Sequence, residues 1–143
     1  MVRVPVSATD DALLALLVRA WLDALVAERY ELVFAELGYA MAYGEGATAI
    51  RRDIKRYLSS RYFPGVESFR VSDGRTAPKP TVLVRRYGFN PQLPIIAIVE
   101  VDLPLNGKWS DLEADFVVTV QGPAECEGLL CLEDISAPGD SDA

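Results

Sequence analysis

Histidine is absent from the 143-residue chain, and this absence excludes several classes of enzyme. A Ser-His-Asp triad, a histidine general base and a histidine-ligated zinc or iron site all need an imidazole. The chain also has no G-x-S-x-G segment, so no nucleophile elbow is predicted. We therefore expect no catalytic chemistry that depends on histidine or on an activated serine.

Cysteines and long apolar runs are scarce as well. Cys126 and Cys131 are the two thiols, fewer than a secreted scaffold of this size usually carries, and they lack C-x-x-C spacing. The apolar run Ala12 to Val18 is followed by Arg19 and Asp23, far short of the roughly 20 apolar residues of a membrane span. Acids stand where a signal peptide has basic residues. We expect a cytoplasmic protein with reduced thiols and no membrane partner.

Basic residues are few near the C-terminus, and charge is unevenly distributed along the chain. The net charge is −7, with −4 on residues 1–50, +7 on residues 51–99 and −10 on residues 100–143. The overall acidity argues against nucleic-acid binding, which favours a net basic surface. The division of charge indicates either attraction to a charged partner or pairing between the basic middle and the acidic end of one fold.

Helical spacing dominates the first sixty residues, and a period of two dominates the rest. We predict helices from about Thr9 to Leu25, over 28–37 with Gly38 as the stop, and over 48–62. Strands are predicted over 66–71, 81–87, 95–105, 108–120 and 129–135. This order predicts an α+β fold, with N-terminal helices on one face of a curved antiparallel sheet of about four to five strands. A single domain is expected over 8–135, and a disordered tail over 136–143.

Two of these strands meet at Asn106-Gly107, a strong hairpin signal. Folding about this turn gives an apolar face that pairs Val101 with Leu112, Val99 with Ala114, Ala97 with Phe116, and Ile95 with Val118. The other face pairs Asp102 with Asp111 and Glu100 with Glu113, with Asp115 further along and Trp109 at the turn end. Like charges directly opposite each other are unfavourable, so the acidic row needs an explanation.

Three explanations of the acidic row remain open. In the first, it faces solvent, and Arg85 or Arg86 from the neighbouring strand pairs with it. In the second, it docks a basic protein. In the third, it holds Ca²⁺ or Mg²⁺, although ligands on a flat sheet diverge and no calcium-loop motif is present. We adopt the second and predict no catalytic, cofactor or metal residues; the predicted partner-binding residues are Glu100, Asp102, Trp109, Asp111, Glu113 and Asp115.

A glycine-containing segment, Gly44 to Ala49, has the spacing G-x-G-x-x-A ahead of the third helix. The dinucleotide fingerprint needs a strand before that segment, whereas a helix and a turn precede it here. We therefore interpret the segment as a turn and a helix start, and no cofactor is expected.

The order of helices followed by an antiparallel meander resembles the cystatin-like α+β roll, the superfamily of nuclear transport factor two and the ketosteroid isomerases. That resemblance implies either a binding domain or an isomerase that uses a carboxylate base with a tyrosine donor. The segment N-G-K-W-S-D-L at 106–112 also resembles a hairpin of small, uncharacterised bacterial domains. Domains of these kinds often occur as immunity proteins beside bacterial toxins.

We therefore expect a non-catalytic binding domain, in its sharpest form an immunity or antitoxin-like protein that binds a basic partner. One alternative is a small-molecule-binding or isomerase-like enzyme with a pocket between the helices and the sheet. In the predicted register the pocket-facing positions carry no carboxylate, so this alternative would need a strand bulge to turn one inward. A second alternative is a structural homodimer formed through the first helix or the apolar end of the sheet.

Overall fold

The computed structural model describes residues 2–5, 11–61, 82–86, 95–105, 108–120 and 127–137. These form helices α1 (Asp11–Val26), α2 (Tyr30–Leu37) and α3 (Thr48–Arg61), with a short 3-10 helix at Ala40–Ala42. They also form strands β1 (Val2–Pro5), β2 (Val82–Arg86), β3 (Ile95–Leu105), β4 (Lys108–Val120) and β5 (Glu127–Ser136). The predicted α+β class is confirmed for this part of the chain.

The strands form one antiparallel sheet in the order β1-β5-β4-β3-β2. The prediction missed β1, whose Val2 pairs with Leu130 of β5; four residues are too few for a period of two to be recognised. The strand predicted over 66–71 and the turn at Asn106-Gly107 lie outside the described residues.

The helices begin and end where local chemistry favours it. Asp11 stands in the first turn of α1, where the helix dipole stabilises an acid. Glu28 has a φ of 60°, so the chain turns between α1 and α2, and the predicted start of α2 at residue 28 is two residues early. Gly38, with a φ of 67°, ends α2 and donates its N–H to the Phe34 carbonyl at 2.8 Å. Within the described ranges, no helix has the length and apolar character needed to cross a membrane.

The helices pack on one face of the sheet, around a single apolar core. Trp21 of α1 meets Phe116 of β4 edge to face, with ring centroids 4.9 Å apart and planes at 84°. Ile50, Ile54 and Tyr57 of α3 are also buried. Of the side chains of β3 and β4 predicted to lie on the apolar face, Ile95 is only half-buried. The others are almost fully buried: Ala97, Val99, Val101, Leu112, Ala114, Phe116 and Val118.

The pairing of β3 with β4 differs from the predicted register by two residues over most of its length. Val101 pairs with Ala114 and Val99 with Phe116, whereas the predicted pairing is kept near the turn, where Pro104 faces Trp109. A bulge between these two regions leaves extra residues on β4. An offset of two keeps every side chain on its predicted face, because successive side chains alternate across a strand.

The same offset corrects the predicted acidic pairs. Asp102 lies opposite Glu113 rather than Asp111, and Glu100 lies opposite Asp115 rather than Glu113. At the other end of β3, a second irregularity places Ile95 opposite Thr119 and Ala97 opposite Val118, so the predicted Ile95 pair is also wrong.

Strand β5 extends further at both ends than its predicted range of 129–135. It reaches Ser136, and Ala137 after it is 4% exposed, so the segment predicted as a disordered tail begins with ordered residues. Residues 138–143 lie outside the described part. A bulge in β5 sets Asp134 opposite Asp115 but Leu132 opposite Phe116, so that Glu133 is the extra residue.

Candidate acidic binding surface

The sheet face that points away from the helices carries five described carboxylates. We call this surface the acidic face: Glu100 and Asp102 of β3, Glu113 and Asp115 of β4, and Asp134 of β5. Asp102 is exposed and the other four side chains are half-buried. Four of the five belong to the predicted partner-binding set, so the alternation of side chains along β3 and β4 located most of this surface.

Three of these residues form a compact group, which we call the carboxylate trio: Glu100, Glu113 and Asp115. One carboxylate oxygen from each lies within 4.8 Å of the others. Glu100 and Asp115 are direct cross-strand partners, and Glu113 is next but one to Asp115 on β4, on the same face. The register therefore brings the trio together from two neighbouring cross-strand pairs of β3 and β4.

Asp134 extends this row to a third strand. It pairs directly with Asp115, so Glu100, Asp115 and Asp134 stand side by side across β3, β4 and β5. The sequence prediction missed Asp134 because the bulge at Glu133 changes which face the following residues occupy. Strict alternation from the buried Leu132 would have turned Asp134 inward, and only the adjacent Glu133-Asp134 pair in the sequence hinted at an acid there.

The crowding of these carboxylates changes their protonation. A hydrogen bond with Asp115, burial and the negative charge of Asp115 raise the pKa of Glu113 to about 7, against a weaker lowering by Arg85. Burial, followed by the charges of Glu100 and Asp134, raises the pKa of Asp115, while the Glu113 hydrogen bond and Arg85 lower it. Among the described residues, Asp115 Oδ1 is buried without a hydrogen-bond partner.

One arginine from the neighbouring strand reaches the trio. Arg85 Nη2 lies 3.3 Å from Glu100 Oε2, and the Arg85 side chain is 57% exposed. The interpretation that Arg85 pairs with the acidic row thus holds for Glu100. An exposed pair of this kind contributes about 0–1 kcal/mol, which is small against the repulsion among three neighbouring carboxylates. The side chain of Arg86 lies outside the described part of the structure.

The arginines of α3 contact other residues of the helical layer. Arg52 binds Asp53, with Nε 2.9 Å from Oδ1, and it also binds Glu45. Arg56 lies 3.8 Å from Asp53. Since α3 packs against the opposite face of the sheet, these side chains are directed away from the acidic face.

Two predicted site residues are placed only by their backbone. Trp109 lies in β4 opposite Pro104, and Asp111 lies between Trp109 and Glu113 on the same strand. Their side chains lie outside the described part of the structure, so their share in the acidic face stays a prediction.

Clustered carboxylate oxygens are also the ligands that hard cations prefer. The oxygens of the trio converge, although ligands on a flat sheet were expected to diverge. Closeness alone does not distinguish a cation site from an acidic protein surface, and we assign no ion to it.

A second polar cluster joins the helices to the sheet. The Tyr39 hydroxyl donates to Asp53 Oδ2 at 2.5 Å and accepts a hydrogen bond from the backbone N–H of Ile135. Arg52 donates from Nε and Nη2 to the two carboxylate oxygens of Asp53, and from Nη2 to the Met41 carbonyl. Burial, followed by the hydrogen bond to Asp53, raises the pKa of Tyr39 well above its usual value.

The Tyr39 cluster brings a carboxylate and a tyrosine together, as the isomerase alternative requires. However, both oxygens of Asp53 are already bound by Arg52 and Tyr39, which leaves this carboxylate poorly placed to act as a base. Sequence patterns could not predict this contact, because Tyr39 and Asp53 are fourteen positions apart and meet only when α3 packs in place. We interpret the cluster as a structural link between α3 and β5.

Comparison of the chain with protein-family models, with curated proteins and with solved structures found no match.

Proposed function

We propose that this chain is a non-catalytic binding domain whose acidic face binds a basic protein partner. The observation that supports the proposal is the carboxylate trio, in which three half-buried acids from two strands stand within 4.8 Å of one another. A lysine or arginine from a partner placed over the trio would relieve the repulsion that raises the pKa values of Glu113 and Asp115.

The location of the acids also favours a binding role. A row of like charges across three strands costs stability, and the fold keeps this row on the face opposite the helices. Charge of one sign concentrated on one surface speeds association with an oppositely charged protein and selects against other partners. In its sharpest form, the proposal is that of a cytoplasmic immunity or antitoxin-like protein whose partner is a basic toxin.

The proposal is tested with a charge-reversal variant that combines Glu113→Lys and Asp134→Lys. The probe is a basic protein encoded beside the gene for this chain, and its dissociation constant is measured by calorimetry. We expect the variant to weaken binding at least about tenfold, or about 1.4 kcal/mol, and to fold at least as well, because the new lysines lie beside the remaining acids.

The matched control combines Glu31→Lys and Glu36→Lys, two exposed acids of α2 in the helical layer. It changes the net charge equally and should leave binding within about twofold, since overall charge mainly affects long-range attraction. Equal weakening by both variants, or unchanged binding of the acidic-face variant, would contradict the proposal.

A further inference from the structure

We propose that Glu113 and Asp115 hold one proton between them near neutral pH and release it as the pH rises, which makes the charge of the acidic face pH-sensitive. Such a pair would regulate binding at this face, with a basic partner bound more tightly at higher pH. The shared proton does not depend on the proposed function, whereas its effect on binding rests on that function.

The closeness of the two side chains favours a retained proton. Carboxylate oxygens of Glu113, Asp115 and Glu100 lie within 4.8 Å of one another. Two ionised carboxylates this close repel each other, whereas a proton held by one of them can be donated to the other. Half-burial strengthens this preference, because two adjacent charges are not fully solvated at these positions.

Groups from every strand packed against the pair act on its proton. From β3, Glu100 and Asp102 add negative charge, and from β5, Asp134 faces Asp115 while Glu133 stands at the bulge. From β2, Arg85 opposes them and favours ionisation, although its 3.3 Å contact is made to Glu100. The described neighbours are thus mainly acidic, and they hold the proton on the pair.

Carbon-13 NMR of the side-chain carboxyls measures the proton directly in the wild-type chain. We expect the Glu113–Asp115 pair to show a titration step near pH 7. The step should vanish in Glu113→Gln, whose amide donates permanently to Asp115. If both carboxyls of the wild-type pair titrate below about pH 5, the proposal is overturned without reference to any variant.

A short oligolysine peptide serves as the probe for regulation. We expect its affinity for the wild-type chain to rise about two- to fivefold between about pH 6 and about pH 8, and its affinity for Glu113→Gln to stay constant. An equal rise in both chains would overturn the regulatory role. A titration step near pH 7 with no peptide binding would instead count against the proposed function and leave the shared proton established.

Discussion

Tyr39 is 7% exposed, and its hydroxyl makes one hydrogen bond to a helix and one to a strand. The acceptor Asp53 belongs to α3, and the donor is the backbone N–H of Ile135 in β5. Buried polar groups contribute most when they are fully paired, and they cost most when a partner is removed. This single hydroxyl therefore holds α3 in position against the edge of β5.

The variant Tyr39→Phe should lower the free energy of unfolding by about 1–3 kcal/mol, because it removes both hydrogen bonds and leaves the Ile135 N–H without its acceptor. Denaturant titration measures the change. Tyr43→Phe is the matched control: its ring is 75% exposed, and its hydroxyl makes a long contact of 3.5 Å to the Met41 sulfur. It should shift stability by less than about 0.5 kcal/mol, and an equal loss in both variants would refute the role given to Tyr39.

The raised pKa of Glu113 predicts how the free energy of unfolding depends on pH. This pKa is about 7 in the folded chain and 4.5 without the influence of the fold, so between these values the folded state binds more protons than the unfolded state. Stability is therefore highest below about pH 4.5 for this group and falls as the pH rises through 7. Because the Glu113 side chain is only half-buried, solvent screening reduces the effect to roughly 1 kcal/mol.

Denaturant titrations across this pH range measure the slope. Glu113→Gln should remove most of the decline, and Glu133→Gln, which changes an exposed acid of the same sheet, should retain it. A decline equal in the wild-type chain and in Glu113→Gln would show that Glu113 ionises as an ordinary carboxylate.

Among the elements, β5 shows how one extra residue decides which groups become neighbours. Leu130 and Leu132 face the core, Glu133 forms the bulge, and Asp134 then faces outward while Ile135 returns to the core. The bulge thus places an acid beside Asp115 without disturbing the apolar side of the strand.

Deletion of Glu133 should therefore be tolerated, because the shortened strand alternates regularly and keeps Asp134 outward and Ile135 inward. Deletion of Cys131 is the control, since it makes Leu130 and Leu132 adjacent and forces one of them onto the acidic face. We expect a cooperative thermal transition for the first variant and none for the second, measured by circular dichroism. Loss of the transition in both would show that the bulge itself is required for folding.

On the scale of the whole molecule, charge opposes self-association. Each copy carries a net charge of −7, and its acidic face would repel the same face of a second copy. Some apolar side chains are exposed, including Leu16 of α1 at 63% and Leu83 of β2 at 47%. Leu83 lies opposite Glu100 and so borders the acidic face, whereas Leu16 is in the helical layer. The homodimer alternative would have to use such positions or the apolar end of the sheet.

We expect the protein to be a monomer at physiological salt, as measured by light scattering over a range of concentrations. The variants Ile98→Lys and Leu16→Lys alter the two surfaces that were considered for a dimer. Because the protein is expected to be a monomer, neither variant should change the measured mass. A concentration-dependent dimer that either substitution dissociates would favour the structural homodimer.

Local chemistry was enough to predict much of the fold. Helical periodicity located α1, α2 and α3, and alternation predicted the buried face of β3 and β4 and the row of acids on the other face. These predictions succeeded because the face that a side chain occupies depends on the period of its own element. The acidic row was predicted on the correct face although the predicted register was wrong, because an offset of two residues preserves the face of each side chain.

For β3 and β4, the sequence by itself therefore determined which residues share a face, whereas only the tertiary structure decided which of them touch. The trio, the addition of Asp134 and the contact of Tyr39 with Asp53 all depend on bulges and on the packing of helices against the sheet. A bulge places an extra residue on one strand of a pair, so it is defined only by how that strand pairs with its neighbour. The proton that Glu113 and Asp115 are proposed to share is a consequence of that packing.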